Sequence, residues 1–480
     1  MMIIGGVGMD DFLSDIYTGV FKEWILSMKS LHYRVALKKD NDNIVVITTP
    51  YSYTEITFNE FNIIEFSVTN KINDKVEFYL HFQMKTLKHA MELFEEMLET
   101  VHQFVYKPKM KILLSCSGGL TTGYFAEKLN EANEMLSLDY EFDAVPYGNL
   151  YDAGMNYDMI LLAPQIGYIQ PKIQEILSDK KILRIPSGIF AKYDVISLLQ
   201  FIQKEKSMNT KKQTTVSKKV RLKRKMKTQH KILSISMIRP NQRVSLYYRL
   251  YDENNHIILD NEVIKNRISI DDIYDVLDIV FVTYPDIEYV GLSMPGIVND
   301  GKLVLASEGF DNTDIVGMLK ARYDKTFVLV NDVNAIAVGY YASSEKYSSF
   351  SFLFQPQGNY SGIGNIFNGQ LIEGRKGIAG EAQYLPFYRE TDALEKVKTP
   401  ETIVEIVAKT MTSIVSIIGS EAIIFSCPLI FDTEELVNEM TKYVPFEYIP
   451  EIIRIDNLNE YNLLGAMMLC LKEIGDNDEE

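Results

Sequence analysis

The feature that most constrains this fold is the alternation between residues 108 and 203. Short apolar runs (KILLSC, YEFDAVP, MILLAPQ, KILRIP) take turns with helical patterns (YFAEKLNEANEML, PKIQEILSD, DVISLLQFIQ). Runs apolar at nearly every position suit strands buried on both faces, and strands separated by helices lie parallel. The segment predicts a doubly wound parallel sheet of the α/β class.

A cysteine stands at its first strand-to-helix turn, in KILLSCSGGLTTGYFAEKL (111–129). Ligands of open α/β sheets sit beyond the carboxyl ends of the strands, where Cys116 falls. Ser117, Gly118 and Gly119 let the backbone turn tightly with amides facing a bound group, and Thr121 or Thr122 is expected to cap the helix. Such amides hold phosphate dianions, and a positive helix end lowers a thiol pKa from about 8.5 toward about 7. No His lies between His102 and His230, so a phosphoryl carrier here has to be the cysteine. Yet free cysteines are most often buried fillers, and Gly-Gly after a strand is a turn. The stretch alone leaves both readings open.

Together with YDMILLAPQIGYIQPKIQEIL, it resembles the enzyme IIB domain of the lactose/cellobiose class of the phosphoenolpyruvate-dependent sugar phosphotransferase system. That family's pattern is a strand, then Cys-Ser-x-Gly-x-Ser/Thr-Thr/Ser opening a helix, then a later LLGPQ-x-x-Y. The resemblance spans about 108–203, with Ala163 for a usual Gly and Gly123 interrupting the helix start. It implies Cys116 as the phosphorylated nucleophile, Ser117, Gly118, Gly119, Leu120, Thr121 and Thr122 as the phosphate loop, and Pro164, Gln165 and Tyr168 as the neighbouring wall. The implied partners are a IIA phosphodonor and a membrane IIC protein.

Residues 1–106 read as a small α+β unit with no chemical motif: a helix (FLSDIYTGVFKEWILSM), four strand-like runs (HYRVALKK, NIVVITT, NIIEFSVT, VEFYLHFQM) and a closing helix. Residues 204–230 carry almost no apolar content and read as a flexible solvated linker. The net charge of −16 hides an asymmetry there: residues 204–231 hold twelve Lys or Arg against one Glu, about +11, leaving about −27 elsewhere. Contact with nucleic acid is the other reading of that segment, though it lacks an aromatic residue for stacking. Docking on the acidic domains of the same chain is a third. No apolar window is long enough for a spanning helix, and the N-terminus reads as no signal peptide. Three cysteines at wide spacing fit neither a disulfide framework nor a zinc site, so a cytoplasmic location is expected, with no cofactor or metal.

Residues 231–473 hold a second α/β pattern. YVGLSMPGIVNDGKL is a strand entering a Pro-Gly turn, and FVLVNDVNAIAVGYYA a strand ending in Asn331-Asp332 before a helix. GNYSGIGNIFNGQLIEGRKGIAGEAQYLP is glycine-dense and contains Glu381. Singly, each is explained by helix capping or hairpin turns. Together, with the final YNLLGAMMLCL, they resemble the ROK family of sugar kinases and sugar-responsive repressors, of the actin-like ATPase fold. The resemblance implies Asp332 at the catalytic-base position, with Asn331 and Glu381 as sugar ligands. Its nucleotide contacts are damaged. The opening hairpin, ILSISMIRPNQRVSLYYRL, has Ser234, Ser236 and Arg239-Pro240 in place of Asp-x-Gly-Gly-Thr. GNYSGIG replaces G-T-G-x-G-x-G and Ser426-Cys427-Pro428 replaces a Gly-Gly; apart from the nucleotide contacts, AGE-x-G-H reads AGEAQY, with Tyr384 in place of His. Without those glycines, phosphate cannot approach the backbone closely.

The expectation is a fusion of an α+β unit, a IIB-like domain and a degenerate ROK-like domain at 231–473. Phosphoryl transfer through Cys116 would be its chemistry; a sugar- or flux-responsive regulator and an active sugar kinase are the alternatives. A sugar ligand and a second copy of the chain stay open as partners.

Overall fold

The computed structural model describes residues 9–136, 138–206, 220, 230–238, 244–305, 310–390 and 392–478. The N-terminal unit is an antiparallel meander of β1 (Arg34–Lys38), β2 (Asn41–Thr48), β3 (Ser52–Phe58), β4 (Ile63–Asn70) and β5 (Lys75–Gln83). Helices Met9–Ser27 and Leu87–His102 contribute Phe21, Trp24 and Phe94, whose rings meet each other and Phe66 of β4 at centroid distances of 5.3–6.5 Å. The sequence shows four of these strands and misses β3.

The middle segment has four strands, β6 (Met110–Cys116), β7 (Tyr140–Pro146), β8 (Met159–Leu162) and β9 (Lys181–Arg184). They are parallel, in the order β7-β6-β8-β9. Alternate residues of β6 feed opposite cores. Ile112 and Leu114 join Phe125, Leu129, Leu198 and Ile202 from helices Leu120–Met135 and Val195–Lys206, and Leu113 joins Leu150 and Ile173 on the other face. This is the doubly wound sheet expected, though its last helix runs three residues past 203.

The remainder folds as two lobes. The first contains β10 (Ile232–Ile238), β11 (Val244–Tyr251), β12 (Ile257–Lys265) and β13 (Tyr289–Met294). A small sheet of β14 (Ile297–Asn299), β15 (Lys302–Leu305) and β16 (Phe310–Asp314) follows, then β17 (Thr326–Asn331). The second lobe contains β18 (Phe350–Phe354), β19 (Gly362–Phe367), β20 (Gln370–Ile372), β21 (Ala422–Ser426) and β22 (Glu451–Arg454). The orders β12-β11-β10-β13-β17 and β20-β19-β18-β21-β22 are equivalent: three antiparallel strands, then two parallel ones. Helices Asp332–Ser343 and Leu458–Asp478 cross closely between the lobes.

Two contacts tie together units that the sequence separates. β5 runs antiparallel to β12 (Tyr79 opposite Ile264), so residues 34–83 extend the first-lobe sheet to ten strands. Side chains reinforce that joint: Tyr248 Oη lies 2.7 Å from His81 Nε2, Lys265 reaches Asp272 at 2.6 Å and Glu96 at 2.7 Å, and His89 meets Asp275 at 2.9 Å. The middle domain shares one buried apolar cluster with the second lobe, from Leu113, Leu150, Tyr151 and Ile160 to Ile403, Val404, Val407 and Phe425. Pairing between distant segments leaves no local pattern for sequence reading to find. Of the basic segment 207–229, only Val220 is described; its N–H donates to Glu460 at 3.1 Å and its side chain packs against the buried cluster that includes Ile232 and Met467. The linker and nucleic-acid readings of the rest fall outside the described residues. No helix among the described residues is long and apolar enough to cross a membrane.

Candidate functional site

Cys116 ends β6, in register with Pro146 of β7, and is 2% exposed. The chain then turns through Ser117 and Gly118, both exposed, into Gly119 at φ +81, a conformation that favours glycine. A side chain there would also meet the Pro146 nitrogen at 3.2 Å. The turn directs donors at the sulfur: the Gly119 N–H donates to Sγ at 3.0 Å, and the Thr121 and Thr122 hydroxyls lie 3.4 and 3.2 Å from it. Burial by itself raises the thiol pKa, but the Thr121 and Thr122 hydroxyls with the Thr122 and Gly119 amides outweigh it and lower the thiol to about 7. The capping role expected of Thr121 or Thr122 is not what they do. Gly119 is the N-cap with no side-chain cap bond; the Thr121 hydroxyl turns to the sulfur, and the Thr122 hydroxyl sits between the sulfur and the Gly119 carbonyl, which accepts it at 3.1 Å.

Leu120 stands 88% exposed over this turn. Pro164, Gln165 and Tyr168 lie in the 3-10 turn Pro164–Ile169 after β8, whose Leu162 is in register with Ser115, so the wall rises from the strand beside the cysteine. Gln165 and Tyr168 are exposed, and Gly167 leaves room for Arg184, which a side chain there would strike at 2.0 Å. On the opposite flank, Tyr147 follows Pro146. Its hydroxyl donates to Glu401 of the second lobe at 2.8 Å and lies 2.8 Å from Tyr151 Oη; Lys172 approaches Glu401 at 4.0 Å. Sequence reading missed Tyr147, Tyr151 and Glu401, because their meeting depends on how two domains dock.

In the lobes, Asn331 caps helix Asp332–Ser343, accepting the Asn334 N–H at 3.1 Å and donating to the Gly296 carbonyl at 2.8 Å. Its amide is thus engaged by the backbone. Asp332 begins that helix, and burial, with the nearby charge of Glu381 adding to it, pushes its carboxyl up to about 6. Glu381 follows a tight glycine turn whose Gly380 has φ +93, pairs with Gly362 as an isolated bridge, and accepts from Gln383 at 2.9 Å. The structure therefore brings Asp332 and Glu381 together.

The glycine loop is filled by the protein itself. A side chain at Gly362 would strike Val333 at 2.8 Å and one at Gly364 the Val333 carbonyl at 2.7 Å, so both glycines seat β19 on helix Asp332–Ser343. Tyr360 stacks edge-on against Tyr388 at 5.6 Å, and the Tyr388 hydroxyl lies 2.6 Å from Ser361 and 3.1 Å from Gln355. Cys427 is 1% exposed, and burial pushes its thiol up to about 11. On the opposite sheet the hydroxyls of Ser234, Ser236 and Ser293 are buried without a hydrogen-bond partner. Arg239-Pro240 lies outside the described residues.

Comparison with known families and structures follows this division. Residues 111–212 match the model of the PTS system, Lactose/Cellobiose specific IIB subunit, and residues 252–393 that of the ROK family. Among solved structures, a ROK hexokinase from Thermus thermophilus is 15% identical, covering 51% of this chain and 99% of its own at a TM-score of 0.41. A ROK family transcriptional regulator, described as a homolog of the E. coli MLC protein, is 13% identical over 50% of this chain and 78% of its own, with a TM-score of 0.40. The lactose-specific IIB component domain from Streptococcus pneumoniae is 25% identical over 20% of this chain and 96% of its own, with a TM-score of 0.19. The chain thus matches two family models in succession, the lactose/cellobiose IIB model over its middle domain and the ROK model over parts of both lobes.

Proposed function

We propose that Cys116 accepts a phosphoryl group from a phosphohistidine of a IIA protein and passes it toward a sugar held by a membrane IIC partner. The observation that carries this reading is the thiol lowered to about 7 by the donors of its own turn, which makes a large thiolate fraction available near neutral pH. The thiolate attacks phosphorus in line. The S–P bond forms as the N–P bond breaks, and that bond's electron pair stays on the imidazole nitrogen. Amides of the Ser117–Thr122 loop stabilise the charge on the equatorial oxygens, with Pro164, Gln165 and Tyr168 as the facing wall.

The ROK domain has lost ATP binding and serves as a sugar reader through Asp332 and Glu381. Tyr360 and the Ser361–Tyr388–Gln355 bonds occupying the glycine loop support this. Incubation with phosphoenolpyruvate, the general phosphotransfer proteins and IIA candidates should label the wild-type chain and leave Cys116→Ser unlabelled; an unlabelled wild type overturns the reading. An ADP-release assay with hexoses and ATP should show no turnover. Turnover lost in Asp332→Asn would restore the kinase.

A further inference from the structure

We propose that phosphorylation of Cys116 loosens the seam between the IIB domain and the second lobe at Tyr147 and Glu401, so that the lobe senses the phosphorylation state. This rests on the phosphocysteine reading above.

The seam begins beside the reactive turn. Cys116 is in register with Pro146, Gly119 fits closely against Pro146, and the next residue, Tyr147, makes the polar bond to Glu401. Tyr151 is fully buried beneath it, and burial, then bonds with Tyr151 and Glu401, holds the Tyr147 phenol far above its ordinary pKa, so it stays a proton donor to Glu401. Phosphorylation changes both the sterics and the charge of this corner. The turn has to open around three oxygens, which presses on Pro146 through Gly119. A group of about −1.5 to −2 charge also arrives at the strand end in register with Pro146, the residue before Tyr147, whose hydroxyl holds Glu401. The turn itself, from Ile112 to Glu127, contains no Lys or Arg; Lys172 stands 4.0 Å from Glu401 and Arg184 packs at Gly167 of the facing wall.

The response can travel further. Glu401 lies in the first turn of helix Pro400–Ile418. Just before that turn, the Val397 carbonyl accepts the Gly358 N–H at 3.2 Å and the Lys398 carbonyl accepts Gln357 Nε2 at 3.3 Å. Those bonds hold the start of the glycine loop at Gln357 and Gly358, so release of Glu401 loosens the loop, whose Gly362 pairs with Glu381. The apolar cluster beneath the seam stays buried, and the change is local opening rather than separation of domains.

Hydrogen–deuterium exchange on the full chain, before and after phosphorylation by phosphoenolpyruvate and its transfer proteins, tests this. Segments 145–156 and 397–410 should exchange about fivefold faster once peptide masses show phosphate on Cys116. Glu401→Gln, which keeps an acceptor but loses the charge, should be phosphorylated equally and respond less than about twofold. Tyr147→Phe should exchange fast beforehand and gain little. Unchanged exchange in a phosphorylated wild type, or a full response in Glu401→Gln, overturns the proposal. A wild type that takes no phosphate on Cys116 overturns the underlying phosphocysteine reading, and the seam proposal falls with it.

Discussion

At the scale of single residues, the thiol is governed by short-range donors. Thr122 is fully buried with its hydroxyl 3.2 Å from Sγ, so Thr122→Val keeps the shape and removes a donor. The thiolate titration midpoint should rise from about 7 by roughly one unit, and phosphorylation at neutral pH should slow about fivefold. Thr122→Ser should restore both, and alkylation rates across pH would check it. Asp332 gives the opposite sign. Its folded pKa of about 6 lies above the ordinary carboxylate value, so the folded state binds more protons and wild-type stability falls as pH rises from about 4 through 6. Asp332→Asn should therefore melt higher than wild type above pH 7, by on the order of 2 kcal/mol, with the gain fading below pH 6. The place of the thiol was legible in the sequence, because an apolar run meeting Cys116 and Gly-Gly puts the cysteine at a strand end, but its use was not, since a buried filler fits the same pattern. Nor was the job of its threonines, since a cap and a thiol partner need the same residue type at the same place.

At the scale of elements, the crossing of helices Asp332–Ser343 and Leu458–Asp478 depends on absent side chains. A Cβ on Gly465 would lie 1.7 Å from the Ala335 carbonyl and one on Gly339 1.9 Å from the Tyr461 carbonyl. Gly465→Ala should cost about 3 kcal/mol in denaturant unfolding. Gly419→Ala has open space but φ +67 at a helix end, and should cost only about 1 kcal/mol. The central strands of the middle domain, β6 and β8, were readable because they are apolar on both faces. β3 was not: its inward positions include Ser52 and Thr54, both fully buried, which erase the apolar alternation that marks a strand. The matching strand orders of the two lobes are likewise invisible as sequence repeats.

At the scale of the whole molecule, the N-terminal unit and the first lobe are one sheet, and the middle domain is seated on the second lobe. The first joint is sensitive to pH. The bond with Asp275 raises the His89 pKa against burial, so its stabilising effect is full below the unfolded value of about 6.5 and is lost as pH climbs through the raised folded value. His89→Gln should thus cost about 1 kcal/mol at pH 6 and much less at pH 9, read by thermal melts. Local patterns named the modules, while the joints between them arise from partners far apart in sequence, as with Tyr79 and Ile264 or Tyr147 and Glu401. The central claim, that Cys116 is the phosphoryl carrier, is tested most directly by peptide mapping of the full chain after incubation with phosphoenolpyruvate, the transfer proteins and a IIA donor. Phosphate on the peptide containing Cys116, and none anywhere in Cys116→Ser, is the result predicted. An unphosphorylated Cys116 peptide, or equal labelling of the serine variant, would contradict it.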